Sequence, residues 1–557
     1  MRRVAMVLVA ALVLPGCASL PTATDVERAS DVEVGSDLIT YQPAPPAPGA
    51  EPQEIVAGFL DAMLAYPVSS GTASAYLSSD AAAEWAAGDG VRIYRSPVIQ
   101  VRETGETTTL VDLDLQESGR LDRNGHFIAA QGSASFALEL VLDDGDWRIA
   151  NPPAGLAVTQ GYFETYYEAL DVFLFDVRGE QLVADPVHLQ VGERLATSLT
   201  AALVAGGPPR VAGETRTYVP DPSDWNPAVT VAQGRATVEF STSLTTLDLE
   251  VRRRLSAQVV RTLSQVPGVS VVRIVGSDGP LVAGGTADQP VSAWARFDPP
   301  PATGRAGAVV DDVVSTLDGQ VASPVAGVPD DLAATASLVA ARPGAWATVS
   351  DQGVLRVVRA EGERVDQTVD VVSISWDVQG RLWVADRPQG LLRVRLMTED
   401  GVTPVPVASA LDGVTSFALE PGGTRYAVTR QSGDVLAGAV TSADPGSVPQ
   451  LAVPAQIARD VVNPAAVVWL AATVIAVVGD GETGRQVYRA SIDGSPSDAT
   501  AGTAPRLPNV AITALAAGSG DDPDLYVTDD RARLWYLPAG GSWRLLGVTA
   551  RGLTSGR

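Results

Sequence analysis

From about residue 290 to the end of the sequence, a short apolar strand returns, each time followed by a polar turn and another strand. Ala345–Val349, Leu382–Ala385, Tyr426–Val428, Val474–Val478 and Leu525–Val527 occupy equivalent places. Measured from Trp346, Trp383, Tyr426, Ile475 and Tyr526, the steps are 37, 43, 49 and 51 residues. A four-stranded propeller blade takes about 40–50 residues, so this spacing predicts an all-β propeller of about five to six blades over residues 290–557. Five units are visible, and a strand near Val291–Trp294 is expected to complete the closing blade. The stretch Ala465–Val478 is apolar enough to resemble a transmembrane helix. It is far shorter than the ~20 residues a span requires, and Ala471–Ala472 between two β-rich runs predicts a hairpin instead.

Two blocks upstream have a different pattern. In residues 51–158, Ile55, Val56, Phe59, Leu60, Met63 and Leu64 form one apolar helical face. The period then changes to two: Leu110–Leu115 alternates apolar and acidic residues, Asp122–Gly125 makes a turn, and strands follow at Ser133–Leu142 and Trp147–Ile149. Helices followed by antiparallel strands predict an α+β domain. In residues 159–285, Val172–Phe175 predicts a strand and Leu195, Leu199, Ala202 and Leu203 a helix face stopped at Gly206. Strands at Ala228–Val231 and Ala236–Phe240 flank a Gln233–Gly234 turn. A long helix from Asp248 to Val266 buries Val251, Leu255, Val259 and Leu263, and Val271–Val275 closes a second α+β domain.

The N-terminus reads as an export signal. Arg2 and Arg3 precede the apolar run Val4–Leu14, and Pro15, Gly16 and Cys17 follow. A charged region, a short apolar region and a small residue before a cut predict a signal peptide over 1–16. Leu14–Cys17 resembles the lipobox of bacterial lipoproteins, although Pro15 departs from the usual residue there. That resemblance implies that Cys17 becomes the diacylglyceryl- and palmitate-bearing first residue of the mature chain. Cys17 is the only cysteine, so no intramolecular disulfide can form. Residues 17–50 read as a lipidated tether, proline-dense over Tyr41–Gly49. The expected location is the extracytoplasmic face of the cell membrane, with two or more acyl chains giving stable anchoring.

Formal net charge is −25, with 40 basic residues, all of them arginine, against 65 acidic ones. Nucleic acid repels such a chain, so that partner class is excluded. Without lysine there is no Schiff-base chemistry on a side-chain amine. The only histidines, His126 and His188, fall in different predicted domains; His126 reads as an exposed turn residue and His188 as a strand start. Neither supports a zinc site, and no cofactor, metal or catalytic residue is assigned. Asp112 and Asp114 share one strand face and could hold Ca²⁺ or act as an acid/base pair, but they read as a solvated face. Asp351, Asp386, Asp480 and Asp529 each follow the recurring strand, which suggests Asx turns or a ring of carboxylates at a pore mouth. Trp376, Trp383, Trp469 and Trp535 fit either sugar platforms or packing between sheets.

Several resemblances join these blocks. The Asp-Gly-x-Trp-Arg-Ile ending at Ile149 resembles the last strand of nuclear-transport-factor-like (NTF2-like) domains. Gly206–Pro208, Gln233–Phe240, Arg261–Val269 and Val272–Val275 resemble the GerMN domain of spore-germination and envelope proteins. A lipobox, a proline tether, these two α+β domains and a propeller, in that order, resemble the LpqB family of actinobacterial lipoproteins. The resemblance implies a non-enzymatic accessory that binds the extracytoplasmic domain of a sensor histidine kinase of the MtrA–MtrB type, in cell-envelope homeostasis and division. Alternatives are a cell-wall glycan or small-ligand binding protein and, further off, a propeller hydrolase.

Overall fold

The computed structural model describes residues 39–556 except 131, 208–214, 227, 300–304, 443–446, 482–483, 497–509 and 521. Cys17 and the signal segment lie outside the described residues. From Ile39 on, the proline-dense segment lies against the first domain. Tyr41 exchanges backbone hydrogen bonds with Tyr66 and its hydroxyl donates to Asp61 at 2.8 Å. The hydroxyls of Tyr76 and Tyr166 donate to the carbonyls of Ala44 (3.0 Å) and Ile39 (3.1 Å).

The first domain opens with the helix Pro52–Ala62. Pro52 stands in the first turn, where its missing N–H costs nothing, and Glu54 accepts from the Glu51 N–H at 3.0 Å to close a capping box. Ile55, Val56, Phe59 and Leu60 face a twisted sheet and meet Val111, Leu113, Leu115, Leu138 and Leu140. The sheet runs in the order Asp146–Ile149, Gly132–Asp143, Thr108–Leu121, Val91–Thr104, Leu156–Thr159, antiparallel except for its last pair. The expected alternation holds along Thr108–Leu121. It places Asp112 and Asp114 on the outer face, where Arg102 pairs with Asp112 and the Ser135 hydroxyl donates to Asp114.

The second domain contains two sheets. Arg235–Glu239 and Val271–Gly276 pair in parallel, joined by a crossover through the helix Leu249–Leu263, which buries Leu255, Val259 and Leu263. Thr230–Ala232 adds an antiparallel strand through Gln233–Gly234, both at positive φ (51° and 74°), the geometry of a two-residue hairpin. The other sheet pairs Tyr167–Asp176 with Leu182–Gln190, a strand that begins six residues before the start read from the sequence at His188. Of its nine residues only Gln190 is not buried. Both of its faces are covered, so no polar alternation marks its first half, and Pro186 masks the continuity of the strand across it.

Six blades form the propeller among the described residues, with inner strands that neighbour one another in a closed ring. Trp346, Trp383, Tyr426, Ile475 and Tyr526 all lie on second strands and are 5 % exposed or less. Val462–Ala471 and Val474–Gly481 make the expected hairpin. The closing strand is not Val291–Trp294. That segment is a turn in which Trp294, at φ 71°, donates to Gln289 at 2.8 Å and packs on the second domain. Closure comes from the last strand, Arg544–Thr554. Its first half pairs with Arg533–Leu537 in the sixth blade, while Ala550, Arg551 and Thr554 pair with Val310, Val309 and Gly307 in the first. There Ala308 takes the place of the recurring aromatic and shares a core with Tyr526 and Tyr536, which is why this blade was invisible to a pattern anchored on large side chains.

Candidate functional site

A line of ionisable side chains crosses all three domains. Asp122, at a hairpin tip of the first domain, accepts from the backbone N–H groups of Asn124 (2.8 Å) and His126 (2.9 Å), and its second oxygen lies 3.2 Å from His126 Nδ1. His126 Nε2 stands 3.6 Å from Asp185 of the second domain, and Asp185 stands 3.6 Å from an Nη of Arg425 in the propeller. Arg425 also donates to the carbonyls of Ala184 (2.6 Å) and Ala472 (3.2 Å). Beside this line, His188 Nε2 lies 2.8 Å from Asp493 of the propeller, whose other oxygen accepts from Ser495 N–H. The His188 N–H donates to the Gly125 carbonyl at 2.8 Å, and Phe127 and Phe163 flank its ring. Gly125 has φ +87°, and a Cβ there would fall 2.8 Å from the His188 carbonyl. A glycine is needed for that approach.

Both histidines therefore differ from their sequence reading. His126 is 2 % exposed rather than a surface turn residue, and His188 is 6 % exposed near the end of its strand. Each belongs to a separate domain, yet both meet at one junction. Burial raises Asp171, at the same junction, to about 6, against the pull of Thr473 and Arg425. Burial also pushes Asp493 upward, but the His188 hydrogen bond and charge outweigh it and hold Asp493 at about 2.

The acids that follow the recurring strands cluster elsewhere. The structure puts an aspartate at the connection between second and third strands in every blade: Asp311 and Asp312, Asp351, Asp386, Asp434, Asp480 and Asp529. These connections lie at the opposite end of the blades from the turns that meet the second domain, Glu420–Arg425 and Ala472–Thr473. Of the four aspartates singled out in sequence, Asp529 makes the expected Asx turn, accepting from the N–H groups of Arg531 and Arg533. Asp386 is instead fully buried, bound by Arg393 (2.6 Å) and Arg395 (3.2 Å), and Asp480 accepts from Asn463. A pocket within the channel, reaching Pro421 on the side of the second domain, is lined by inner-strand residues such as Ser373, Ser375, Ser416 and Thr554, with no carboxylate among its described lining residues.

Nor do the tryptophans form platforms. Trp376 and Trp469 donate to the carbonyls of Ala340 and Ala418 in the preceding blades, each at 3.2 Å. Trp383 and Trp535 donate to Asp377 and Asp529. Their indole N–H groups are thus satisfied inside the fold. No helix among the described residues is long and apolar enough to cross a membrane.

Comparison with known proteins gives three family-model matches: "Lipoprotein LpqB, N-terminal domain" over residues 45–164, "Sporulation and spore germination" over 171–281, and "Lipoprotein LpqB beta-propeller domain" over 311–551. Lipoprotein LpqB of Thermobifida fusca is 28 % identical, with 90 % of this chain and 91 % of that one aligned. Its counterpart in Mycobacterium ulcerans is 26 % identical, with 89 % of each aligned. The Cutibacterium acnes protein of that name is 30 % identical over 51 % of this chain, which spans about half (47 %) of that relative's length. Among solved structures, a putative TolB from Agrobacterium tumefaciens aligns with 45 % of this chain and 92 % of its own, at TM-score 0.30 and 13 % identity, too distant to inform function.

Proposed function

Because the chain belongs to the LpqB family of lipoproteins, we propose that it is a membrane-anchored extracytoplasmic accessory of a sensor histidine kinase of the MtrA–MtrB type, serving cell-envelope homeostasis and division. The observation that carries this reading is the asymmetry of the propeller. The turns at one end of its blades are engaged by the second domain through buried charge. The opposite end carries the connections between second and third strands and the short helix Asp330–Thr335, which lies beside Asp351 and Arg551. A rigid platform with one face engaged by the second domain and the other met by no other domain among the described residues suits partner docking. Confinement to the same membrane raises the effective concentration of a neighbour, so a modest intrinsic affinity suffices. The competing hydrolase reading needs carboxylates converging on one cavity, and the channel pocket is lined by hydroxyls and apolar groups.

The test is recovery of the kinase from solubilised membranes by the full chain and by variants of that opposite face. Asp312→Arg and Asp351→Arg reverse charges there, and the Asp312 side chain is 76 % exposed. Loss of kinase recovery with retained folding supports the reading. Undiminished recovery places docking elsewhere, and no kinase from any form sinks the accessory role.

A further inference from the structure

A cleft opens beside the buried junction, between the Tyr167–Asp176/Leu182–Gln190 hairpin of the second domain and the propeller turns near Asp377 and Gly422. Gln181 Nε2 donates across its floor to the Gly422 carbonyl at 3.2 Å. One arginine enters from each side, and the two are built alike. Asp176 accepts from the N–H groups of Glu180 and Gln181 at a hairpin tip and fixes Arg178 through Nε at 3.0 Å. Asp377 accepts from the N–H groups of Gln379 and Arg381 and fixes the Arg381 Nε at 2.7 Å. A carboxylate that grips Nε orients the guanidinium and leaves its Nη edge for something else. Neither Nη atom of Arg381 has an acceptor among the described residues, and the side chain is 29 % exposed. In Arg178 only one Nη approaches a described carboxylate, the exposed Glu180 at 3.4 Å.

The lining holds Arg178, Arg381 and Arg425 with Asp176 and Asp377, and Glu180, Asp185 and Glu420 stand directly behind it. Arg425 is engaged by Asp185, so what the cleft offers an anion is the open Nη edges of Arg178 and Arg381. The Nη edge of a guanidinium matches carboxylate or phosphate oxygens two at a time. Gln379 and Thr424 add polar groups for the body of a ligand. We infer that this interdomain cleft is a binding site for the oxyanion group, carboxylate or phosphate, of a small polar ligand held between Arg178 and Arg381. The inference is independent of the kinase reading. Because the two arginines come from different domains, an occupant also ties the second domain to the propeller.

Calorimetric titration of the full chain in detergent tests this, with inorganic phosphate and N-acetylmuramyl dipeptide as probes, the second carrying a carboxylate. At least one probe should bind, and Arg178→Gln and Arg381→Gln should each weaken it by about tenfold or more. Arg485→Gln, which alters an exposed arginine paired to Asp480 far from the cleft, should leave binding unchanged. The preferred probe identifies the oxyanion. Should Arg381→Gln fail to fold, Arg178→Gln probes the site from the other domain. Absence of heat with both probes, or binding indifferent to both arginine substitutions, overturns the proposal.

Discussion

At the scale of single residues, the junction shows why buried charge is held in pairs. Arg425 and Asp185 are 7 % and 1 % exposed, so removing one partner strands the other in a low dielectric. Arg425→Met should cost about 3–5 kcal/mol in denaturant unfolding, and adding Asp185→Asn should recover a large part. No recovery would mean that the two side chains act separately. Asp171 carries the opposite sign. Its pKa is raised to about 6 from an ordinary 3.8, so the folded state binds the proton more tightly. Its contribution is present in full below about pH 4 and is lost as pH rises through 6. Asp171→Asn should flatten that slope and raise stability at pH 7 by up to about 3 kcal/mol, read from urea midpoints at pH 4, 5, 6 and 7. An unchanged slope would assign the pH dependence to other groups. Cys17 lies outside the described residues, and the expectation for it rests on the lipobox alone. Cys17→Ser should move the chain from the membrane to the soluble fraction, and retention after the substitution would exclude lipid as the anchor.

At the scale of elements, the last strand decides whether the propeller is a ring. Arg544–Thr554 serves two blades, and its two glycines at positive φ separate two kinds of strain. A Cβ on Gly547 (φ 74°) would meet nothing within 4 Å, whereas a Cβ on Gly552 (φ 64°) would meet the Ser337 carbonyl oxygen at 3.0 Å. Gly547→Ala should cost about 1 kcal/mol for the left-handed backbone alone. Gly552→Ala should cost about 2 kcal/mol or more, because backbone of the second blade must also yield. Equal costs measured by chemical denaturation would show that the closing contact is soft. The blades also reveal how one residue type serves several turns. Asp377, Asp529, Asp176 and Asp122 all accept backbone N–H groups at hairpin tips and a side chain two or four residues on. The pattern of aspartates in turns was legible in sequence. Which of them would instead be buried against paired arginines, as Asp386 is, was not, because that depends on the strand alongside.

For the molecule as a whole, the charge that links the domains should make them unfold together. His188–Asp493 and Asp185–Arg425 join the second domain to the propeller, and His126 and the Gly125 carbonyl join the first to the second. Calorimetry of the full chain should therefore show one dominant transition. His188→Ala, which leaves the buried Asp493 without its partner, should split the propeller from the rest and lower its midpoint. Separate transitions in the unsubstituted chain would show that the junction contributes little. Among the described residues no other domain meets the aspartate-bearing end of the propeller, which is why that face is the one proposed for the kinase.

By itself, the sequence determined the elements whose signal is local. Apolar periodicity marked the helices Pro52–Ala62 and Leu249–Leu263, alternation marked Thr108–Leu121, and the recurrence of Trp346, Trp383, Tyr426, Ile475 and Tyr526 marked five of the six blades. Only the tertiary structure decided what closes the ring, because Ala308 and Ala550–Thr554 bear no repeat signature and find their places through hydrogen bonds between residues more than 200 apart in sequence. It alone also decided the fate of the histidines. A strand such as Leu182–Gln190, covered on both faces, in part by the helices of its own domain, has no solvent face to write a pattern into its residues. His126, Asp185, His188 and Arg425 acquire their meaning from neighbours that the chain supplies from elsewhere, since burial and charge pairing are properties of the packed molecule and not of any segment.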